Sequence, residues 1–206
     1  MKAFALVGAG GHARTVISLL EQLDWPILGV FDNNYVADKD ERIDGYALLG
    51  TEADLPADHP VIVCVGANER RAVACQRFES QLFTDTLFHP MSQSEPGAQY
   101  GRANQIMAQA FVSKTARLGN NNLIYTQSVI EHECVVGNDN FLATGAIVCG
   151  RVTIGDRCFI GAGSTIIDKI TIGSDITIGA GATVVHDLTE PGVYLGTPAK
   201  RVQKSG

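Results

Sequence analysis

The second half of the chain repeats every six residues, and this period restricts the fold more than any other feature. Stepping by six from Tyr100 leads to an unbroken series of fourteen aliphatic residues: Ile106, Val112, Leu118, Ile124, Ile130, Val136, Leu142, Val148, Ile154, Ile160, Ile166, Ile172, Ile178 and Val184. Small or apolar residues recur four positions after many of them. Such a repeat is typical of a hexapeptide solenoid, in which three short strands form a triangular coil of about 18 residues.

The solenoid pattern predicts which side chains face inward. The aliphatic residues should fill the interior of a prism, and successive coils should stack by parallel hydrogen bonding at about 4.8 Å. About five coils of about 18 residues fit between residues 100 and 189. The following segment "EPGVYLGTPAKRV" leaves the register and contains two prolines, so it is predicted to be an ordered, irregular tail that caps the last coil.

The first ninety residues follow a different pattern, in which strands alternate with helices. Buried-strand patterns occur at "AFALVGA", "PILGVFD" and "VIVCVG", with a further strand at "FTDTLFHP". Apolar residues at helical spacing occur in "HARTVISLLEQL" and "NERRAVACQRFES". We therefore predict a small α/β domain with a mainly parallel, Rossmann-like sheet in residues 1–90 and a β-helix domain in residues 91–206.

Composition excludes several classes of function. The net charge of −6 offers no basic surface for a nucleic-acid backbone. No apolar run approaches the length of about 18 residues that a membrane span needs, and the N-terminus does not resemble a signal peptide. The five cysteines include no C-x-x-C pair, which fits reduced thiols and predicts a cytoplasmic protein.

The stretch "SVIEHECVVGND" places a histidine between two glutamates within the repeat. With Ile130 pointing inward, His132 lies on the outside of the prism, and stepping by 18 leads to Gly150, Asp168 and His186. His186 is three coils away, about 14 Å, so the two histidines cannot share a metal ion within one chain and no metal is predicted. Two interpretations stay open at this point: a general base or a solvated surface histidine.

The first strand is followed by the glycine loop "GAGGHA", with Asp32 about twenty residues further on. This spacing fits the fingerprint of dinucleotide-binding proteins, in which backbone N–H groups at a helix N-terminus bind a pyrophosphate. A dinucleotide site needs two mononucleotide halves, however, and fewer than 90 residues precede the solenoid. A ligand with one nucleotide fits better, and a tight turn with a purely structural role remains the alternative.

Several motifs together resemble the PglD/NeuD-like sugar acyltransferases. They are "VGAGGHA", "FDNN", "VGANERR", "SVIEHECVVG" and the terminal "GVYLGTPAKRV", which span essentially the whole chain. The resemblance implies a left-handed β-helix, a homotrimer, and transfer of acetyl from acetyl-CoA to a nucleotide-linked amino sugar or to sialic acid. It also implies that His132 is the general base and that Glu133 is the carboxylate that orients it.

The resemblance implies binding residues as well. For the nucleotide sugar they are Gly10, Gly11, His12, Asp32, Asn33 and Gly66, with Asn33 in place of a family aspartate. For acetyl-CoA they are Phe141, Ala162 and Ala180.

Phe141 stands where some members carry a histidine that contacts the thioester, and Phe159 lies one coil further. Ala162 and Ala180 belong to a different face from His132, so these groups meet only if two chains pack side by side. Lys200 and Arg201 are candidates for CoA phosphates or a solvated tail.

The resulting expectation is an acetyl-CoA-dependent N-acetyltransferase that acts on the C4 amino group of a nucleotide-linked 4-amino-4,6-dideoxy sugar. UDP is favoured as the nucleotide over dTDP or GDP, and the product is a precursor of surface polysaccharide or glycoprotein glycans. O-acetylation of a sugar or sialic acid is the alternative with the same fold, and a nucleotide-sugar-binding trimeric scaffold is the non-enzymatic one. Cys64, Cys134 and Cys158 are predicted to be core residues rather than nucleophiles.

Overall fold

The structure is a computed structural model that describes residues 2–37 and 39–202. The chain divides into two compact units, Met1–Thr84 and Asp85–Gly206. The first is an α/β unit and the second is a solenoid, which confirms the predicted fold class. The division falls a few residues before position 90 because Leu87–Phe88 pairs with the solenoid and not with the α/β sheet.

The α/β unit contains one five-stranded sheet in the order β3-β4-β2-β1-β5, parallel except for the antiparallel pair β3–β4. Its strands are β1 (Phe4–Val7), β2 (Ile27–Phe31), β3 (Arg42–Ile43), β4 (Tyr46–Gly50) and β5 (Val61–Val63). Its helices are α1 (Gly11–Gln22) and α2 (Asn68–Arg77), with a short 3₁₀ helix at Glu52–Asp54.

Burial explains why these segments form a sheet packed by helices. Every residue of β1 and β5 is buried, as expected for central parallel strands. The helix α1 turns a stripe of apolar residues at helical spacing towards the interior, namely Ala13, Val16, Ile17, Leu19 and Leu20. The sheet edge at the carboxyl ends of β1, β2 and β5 is where ligands bind in folds of this type.

The hairpin formed by β3 and β4 was not predicted. Its turn contains Asp44 and Gly45, both with positive φ (48° and 89°). An Asp-Gly pair between short strands is the usual signal of a two-residue hairpin turn. The signal is therefore present in the sequence, in a region where no strand was predicted.

The solenoid has three sheets, which we call its first, second and third faces. The first face is the sheet β24-β23-β21-β18-β15-β12-β9-β6, the second is β22-β19-β16-β13-β10-β7, and the third is β20-β17-β14-β11-β8. The bounds of these strands are β6 (Leu87–Phe88), β7 (Gln93–Ser94), β8 (Gln99–Tyr100), β9 (Gln105–Ile106), β10 (Phe111–Val112), β11 (Arg117–Leu118), β12 (Leu123–Ile124), β13 (Val129–Ile130), β14 (Val135–Val136), β15 (Phe141–Leu142), β16 (Ile147–Val148), β17 (Thr153–Ile154), β18 (Phe159–Ile160), β19 (Thr165–Ile166), β20 (Thr171–Ile172), β21 (Ile176–Ile178), β22 (Thr183–Val184), β23 (Gly192–Leu195) and β24 (Lys200–Arg201).

The inward positions are those that the six-residue period predicted. All fourteen aliphatic residues are buried, with at most 4% of their surface exposed, and they form one continuous core. The small residues four positions later are also buried, including Ala110, Ser128, Cys134 and Ala182. Strands pair with the strand one coil away in strict register, for example Val129 with Ile147. The prediction of the coil is confirmed residue by residue.

The corners of the prism are formed by turns with a left-handed residue three positions after the inward one. Asn121, Gln127, Glu133 and Asp139 have φ between 55° and 60° at this position. Asn and Asp adopt this conformation more readily than most residues, which explains their frequency at the corners. We call the turn between the first and second faces the first corner, between the second and third faces the second corner, and between the third and first faces the third corner.

Two predictions about the ends of the solenoid were wrong. The strand predicted in "FTDTLFHP" does form, at Leu87–Phe88, but it pairs with β9 as the first strand of the solenoid. The tail is not irregular, because Gly192–Leu195 adds a parallel strand to β21 and Lys200–Arg201 folds back antiparallel to it. In the described part of the chain, no helix combines the length and apolarity that crossing a membrane requires.

Candidate active site

The second corner carries the histidine that the sequence singles out. His132 and Glu133 lie in the turn between β13 and β14, with 48% and 58% of their side chains exposed. The turn gives Glu133 a φ of 60°, and its Oε2 lies 3.1 Å from Nδ1 of His132. With Nδ1 donating to this carboxylate, Nε2 keeps a lone pair and is able to accept a proton.

The imidazole borders an open cavity of about 570 Å³. Its lining consists of Lys114, Thr115, Arg117, His132, Glu133 and Val135. The cavity therefore presents a histidine with an orienting carboxylate beside two cationic side chains. This combination suits proton transfer to or from a substrate that carries negative charge elsewhere.

The residues predicted to contact acetyl-CoA lie elsewhere on the prism. Ala162 and Ala180 occupy the first corner on adjacent coils, and both are exposed. Phe141 is on the first face and pairs with Phe159, with ring centroids 5.2 Å apart. Tyr125, which the sequence analysis did not single out, contacts the other side of Phe141 at 4.5 Å. Within one chain, the second face separates the corner of the two alanines from that of His132.

The cysteines are core residues, as predicted. Cys134 is buried, and this burial raises the pKa of its thiol to about 11. Burial raises the pKa of Cys158 to about 11 as well, and raises that of Cys64 further still. Thiols with such pKa values are protonated at neutral pH, so they are poor nucleophiles.

In the α/β unit, a cavity of about 490 Å³ opens at the carboxyl ends of the strands. Five of the six predicted nucleotide-binding residues line it: Gly10, Gly11, His12, Asp32 and Gly66. The sixth, Asn33, lines an adjoining cavity of about 440 Å³ and accepts a hydrogen bond from the N–H of Glu52 at 3.2 Å. The structure thus brings these loops together at one edge of the sheet.

The glycines of the first loop have different reasons to be glycine. Gly8 has a φ of 106°, and a methyl group on it would lie 3.0 Å from the carbonyl oxygen of Cys64. Gly10 and Gly11 have neither a left-handed φ nor any atom within 4 Å of such a methyl group. The turn therefore requires Gly8, whereas Gly10 and Gly11 leave open space at the N-terminus of α1. Space of this kind lets a ligand approach the backbone.

Asp32 holds two of the loops together. Its Oδ2 accepts the N–H of Ala9 at 2.8 Å, and its Oδ1 accepts the N–H and the side-chain amide of Asn34, both at 2.8 Å. Both carboxylate oxygens are thus engaged with the protein. Asp32 therefore ties the loop after β1 to the loop after β2.

Sequence reasoning missed Arg71, which shapes the third loop. Arg71 is fully buried and donates hydrogen bonds to the carbonyl of Gly66 at 3.0 Å and to Oδ1 of Asn68 at 2.9 Å. It stands at helical spacing from Ala74, Cys75 and Phe78 on the buried side of α2 and its end. A charged residue in phase with an apolar stripe is the signal that would have identified it.

Comparison with known proteins gives matches along nearly the whole chain. The PglD N-terminal domain family model matches residues 3–78, and the bacterial transferase hexapeptide model matches residues 133–168 and 151–186. A search of curated protein sequences finds no significant match.

Among solved structures, the chain is similar to GDP-perosamine N-acetyltransferase from Caulobacter crescentus. A complex of a histidine mutant of that enzyme with CoA and GDP-perosamine has a TM-score of 0.91 at 26% identity, covering 99% of this chain and 98% of that one. The acetyltransferase domain of PglB from Neisseria gonorrhoeae has a TM-score of 0.89 at 27% identity, covering 98% and 100%. WeeI from Acinetobacter baumannii, with a TM-score of 0.85 at 21% identity over 98% and 100%, shares the fold.

The second unit is a hexapeptide β-helix with an exposed histidine paired to a carboxylate, and the first is an α/β unit with glycine-lined loops. Together these features define a class of acyltransferases with a nucleotide-type binding domain. Both family models and the two structures above 25% identity agree with this class. The chain thus carries a PglD N-terminal domain and bacterial transferase hexapeptide repeats, and it is similar to PglD-like sugar N-acetyltransferases.

Proposed function

We propose that this protein is an acetyl-CoA-dependent N-acetyltransferase that acetylates the C4 amino group of a nucleotide-linked 4-amino-4,6-dideoxy sugar. The observation that carries the proposal is the likeness over 99% of the chain to an N-acetyltransferase solved with CoA and GDP-perosamine. The contact of 3.1 Å between His132 and Glu133 supplies the matching chemistry.

In the proposed reaction, the sugar amine attacks the carbonyl carbon of the acetyl thioester directly. The new N–C bond forms as Nε2 of His132 takes a proton from the nitrogen, and the tetrahedral intermediate then expels CoA by breaking the C–S bond. The proton passes to the departing thiolate, which leaves as CoA thiol. Glu133 stabilises the imidazolium that exists between these two steps. The buried cysteines are not needed for this route.

The nucleotide part of the substrate is assigned to the α/β unit. The first turn of a helix carries N–H groups without intrahelical partners, which suits a diphosphate. The open space beside Gly10 and Gly11 lets a diphosphate approach the N-terminus of α1. His12, Asn33 and Gly66 complete the assignment, with Asp32 holding the loops in place.

Acetyl-CoA is assigned to the first corner and first face, with the pantetheine arm against Ala162 and Ala180 and the acetyl end near Phe141. Because His132 is at a different corner, the proposal requires a homotrimer in which one subunit supplies His132 and its neighbour supplies the acetyl-CoA site. Outward apolar side chains on the second face support a subunit interface there, since Phe111, Val129 and Ile147 stack on successive coils and Ile147 is 40% exposed.

UDP is our first choice for the nucleotide, and GDP is the second because the Caulobacter relative was solved with GDP-perosamine. Acetyl-CoA and nucleotide sugars are both made in the cytoplasm, where we place the reaction. The test is to incubate the protein with acetyl-CoA and a panel of UDP-, dTDP- and GDP-linked 4-amino sugars, and to follow release of CoA thiol.

We expect turnover with at least one amine, and loss of about 10²- to 10⁴-fold in kcat for His132→Ala. Analogues with a hydroxyl at C4 serve as the matched substrates. Turnover of the hydroxyl compounds alone would reassign the enzyme to O-acetylation, and unchanged turnover in His132→Ala would remove His132 from the mechanism.

A further inference from the structure

Gly150 lies directly beneath the imidazole of His132. It occupies the same position of the repeat one coil further on, at the second corner. A methyl group placed on its Cα would lie 2.7 Å from Cε1 and 2.8 Å from Nε2 of His132. Carbon atoms in proteins do not approach other heavy atoms so closely without displacement. The imidazole therefore fills the space that the missing side chain leaves.

The coil itself does not require glycine at this position. The φ of Gly150 is outside the left-handed region, so an L-residue fits its backbone. Alanine stands at the equivalent position of other hexads, at residues 108, 162 and 180. A methyl group at this position would therefore meet the movable end of the His132 side chain, whereas the backbone of the turn would accept it.

A second carboxylate closes this space from the next coil. Oδ1 of Asp168 lies 3.1 Å from the same methyl position, so it is at most about 6 Å from Nε2 of His132. Asp168 accepts two hydrogen bonds from Nη2 of Arg151, at 3.0 and 2.9 Å, and Lys169 lies 3.8 Å away. The hydrogen bond from Arg151 is the main cause that lowers the pKa of Asp168, and His132 is among the smaller ones.

We propose that Gly150 and Asp168 are positioning residues for His132: Gly150 provides the recess in which the imidazole lies, and Asp168 faces its Nε2 edge. When His132 takes a proton, the imidazolium then lies between Glu133 on one side and Asp168 on the other. The role in catalysis rests on the function proposed above, whereas the contact itself does not.

The contact is tested by unfolding midpoints, without any substrate. We expect Gly150→Ala to lower the midpoint more when His132 is present than in the His132→Ala background, where only the contact with Oδ1 of Asp168 at 3.1 Å remains. Gly137→Ala is the matched control. Its methyl group meets the carbonyl oxygen of Gly155 at 2.6 Å, so its cost is the same in both backgrounds. Equal effects of Gly150→Ala in the two backgrounds would overturn the proposed recess.

The Asp168 contact is tested in the same way at pH 5.5, where histidine is largely protonated. Asp168→Asn should lower the midpoint more with His132 than with alanine at that position. The control is Asp175→Asn, which breaks an equivalent Arg–Asp pair. The side chain of Asp175 is 42% exposed, against 41% for that of Asp168. Because Asp175 is at another corner, its effect should not depend on His132. Identical behaviour of the two variants would remove Asp168 from the proposal.

Turnover then tests the catalytic consequence. Gly150→Ala should lower kcat by more than tenfold. Asp168→Asn should lower kcat by about two- to tenfold, because solvent screens the attraction between Asp168 and the imidazolium at this distance. Asp175→Asn should match the parent enzyme. If the midpoints show the coupling but no amine turns over, the function proposed above fails and the inferred contact stands. If His132-dependent turnover is found without coupling, the inferred contact fails and the function stands.

Discussion

Glu133→Gln is the substitution that most directly tests the proposed base. The change removes the charge but keeps an oxygen that accepts a hydrogen bond. It also keeps the backbone unstrained, because Gln109 and Gln127 adopt φ of 58° and 59° at the equivalent position of other hexads. Any effect is therefore due to the loss of the carboxylate charge, not to refolding of the turn.

The size of the effect follows from the geometry. The carboxylate oxygen is 3.1 Å from Nδ1, and both side chains are about half exposed. At this distance the attraction between imidazolium and carboxylate is about 1.3 kcal/mol in water and about 2.7 kcal/mol at half the dielectric constant of water. Because the imidazolium is present only after proton transfer, this energy is lost from the transition state. We expect kcat to fall by about tenfold to a hundredfold.

The assay is release of CoA thiol with saturating acetyl-CoA and the amino sugar found in the panel. Glu131→Gln is the control, because Glu131 carries the same charge on the other side of His132. Its kcat should stay within twofold of the parent enzyme. A Glu133→Gln enzyme with parental kcat, or an equal loss in both variants, would refute the role of Glu133 as the orienting carboxylate.

Three further predictions concern stability and reactivity. Leu142→Ala should lower the free energy of unfolding by about 2 to 5 kcal/mol, measured by urea denaturation, because it empties a fully buried position in the prism. Cys134 and Cys158 should resist iodoacetamide at pH 7.5 in the folded protein, because burial raises their pKa to about 11, and mass spectrometry of labelled peptides measures this. The Arg157 side chain lowers the pKa of Asp175 in the folded state, chiefly by hydrogen bonding. The pair therefore stabilises the fold at pH values above the pKa of Asp175 in the unfolded chain, and this contribution is lost as the pH falls. Unfolding midpoints of Asp175→Asn should therefore differ from the parent at pH 7 and converge with it in acid.

The solenoid was predictable because each hexad obeys one local rule. An aliphatic residue every six positions specifies which side chains point inward, and the parallel register then follows without any long-range information. The same counting placed His132 on the outside of the prism and Ala162 and Ala180 on a different face from it, whereas the structure places them in the turns at two different corners. The placement of these residues on the prism agrees with the structure, whereas their roles in binding and catalysis stay predictions.

The rest depended on features that have no period. The hairpin of β3 and β4 rests on a single Asp-Gly turn, and the strand at Gly192–Leu195 adds to the sheet after the register has been broken. The spacing of Arg71 with the apolar residues of α2 marks it as buried, but its hydrogen bond to the carbonyl of Gly66 does not follow from spacing. The contact between His132 and Gly150 depends on the rotamer of the histidine, so counting shows that the two residues stack and not that they touch.

The third corner carries a ladder of side-chain hydrogen bonds that Gly150 cannot form with His132 at the second corner. At the position equivalent to His132, the third corner carries Asn120, Asn138 and Asp156. There the side-chain oxygen of each coil accepts the backbone N–H of the coil before it, at 2.9 Å from Asn120 and 2.7 Å from Asn138. Gly150 has no side chain with which to make this bond to the N–H of His132. At this coil of the second corner, the imidazole of His132 occupies the space beside the glycine instead. The Gly150→Ala and His132→Ala variants test whether that occupancy, and not the backbone of the turn, accounts for the glycine.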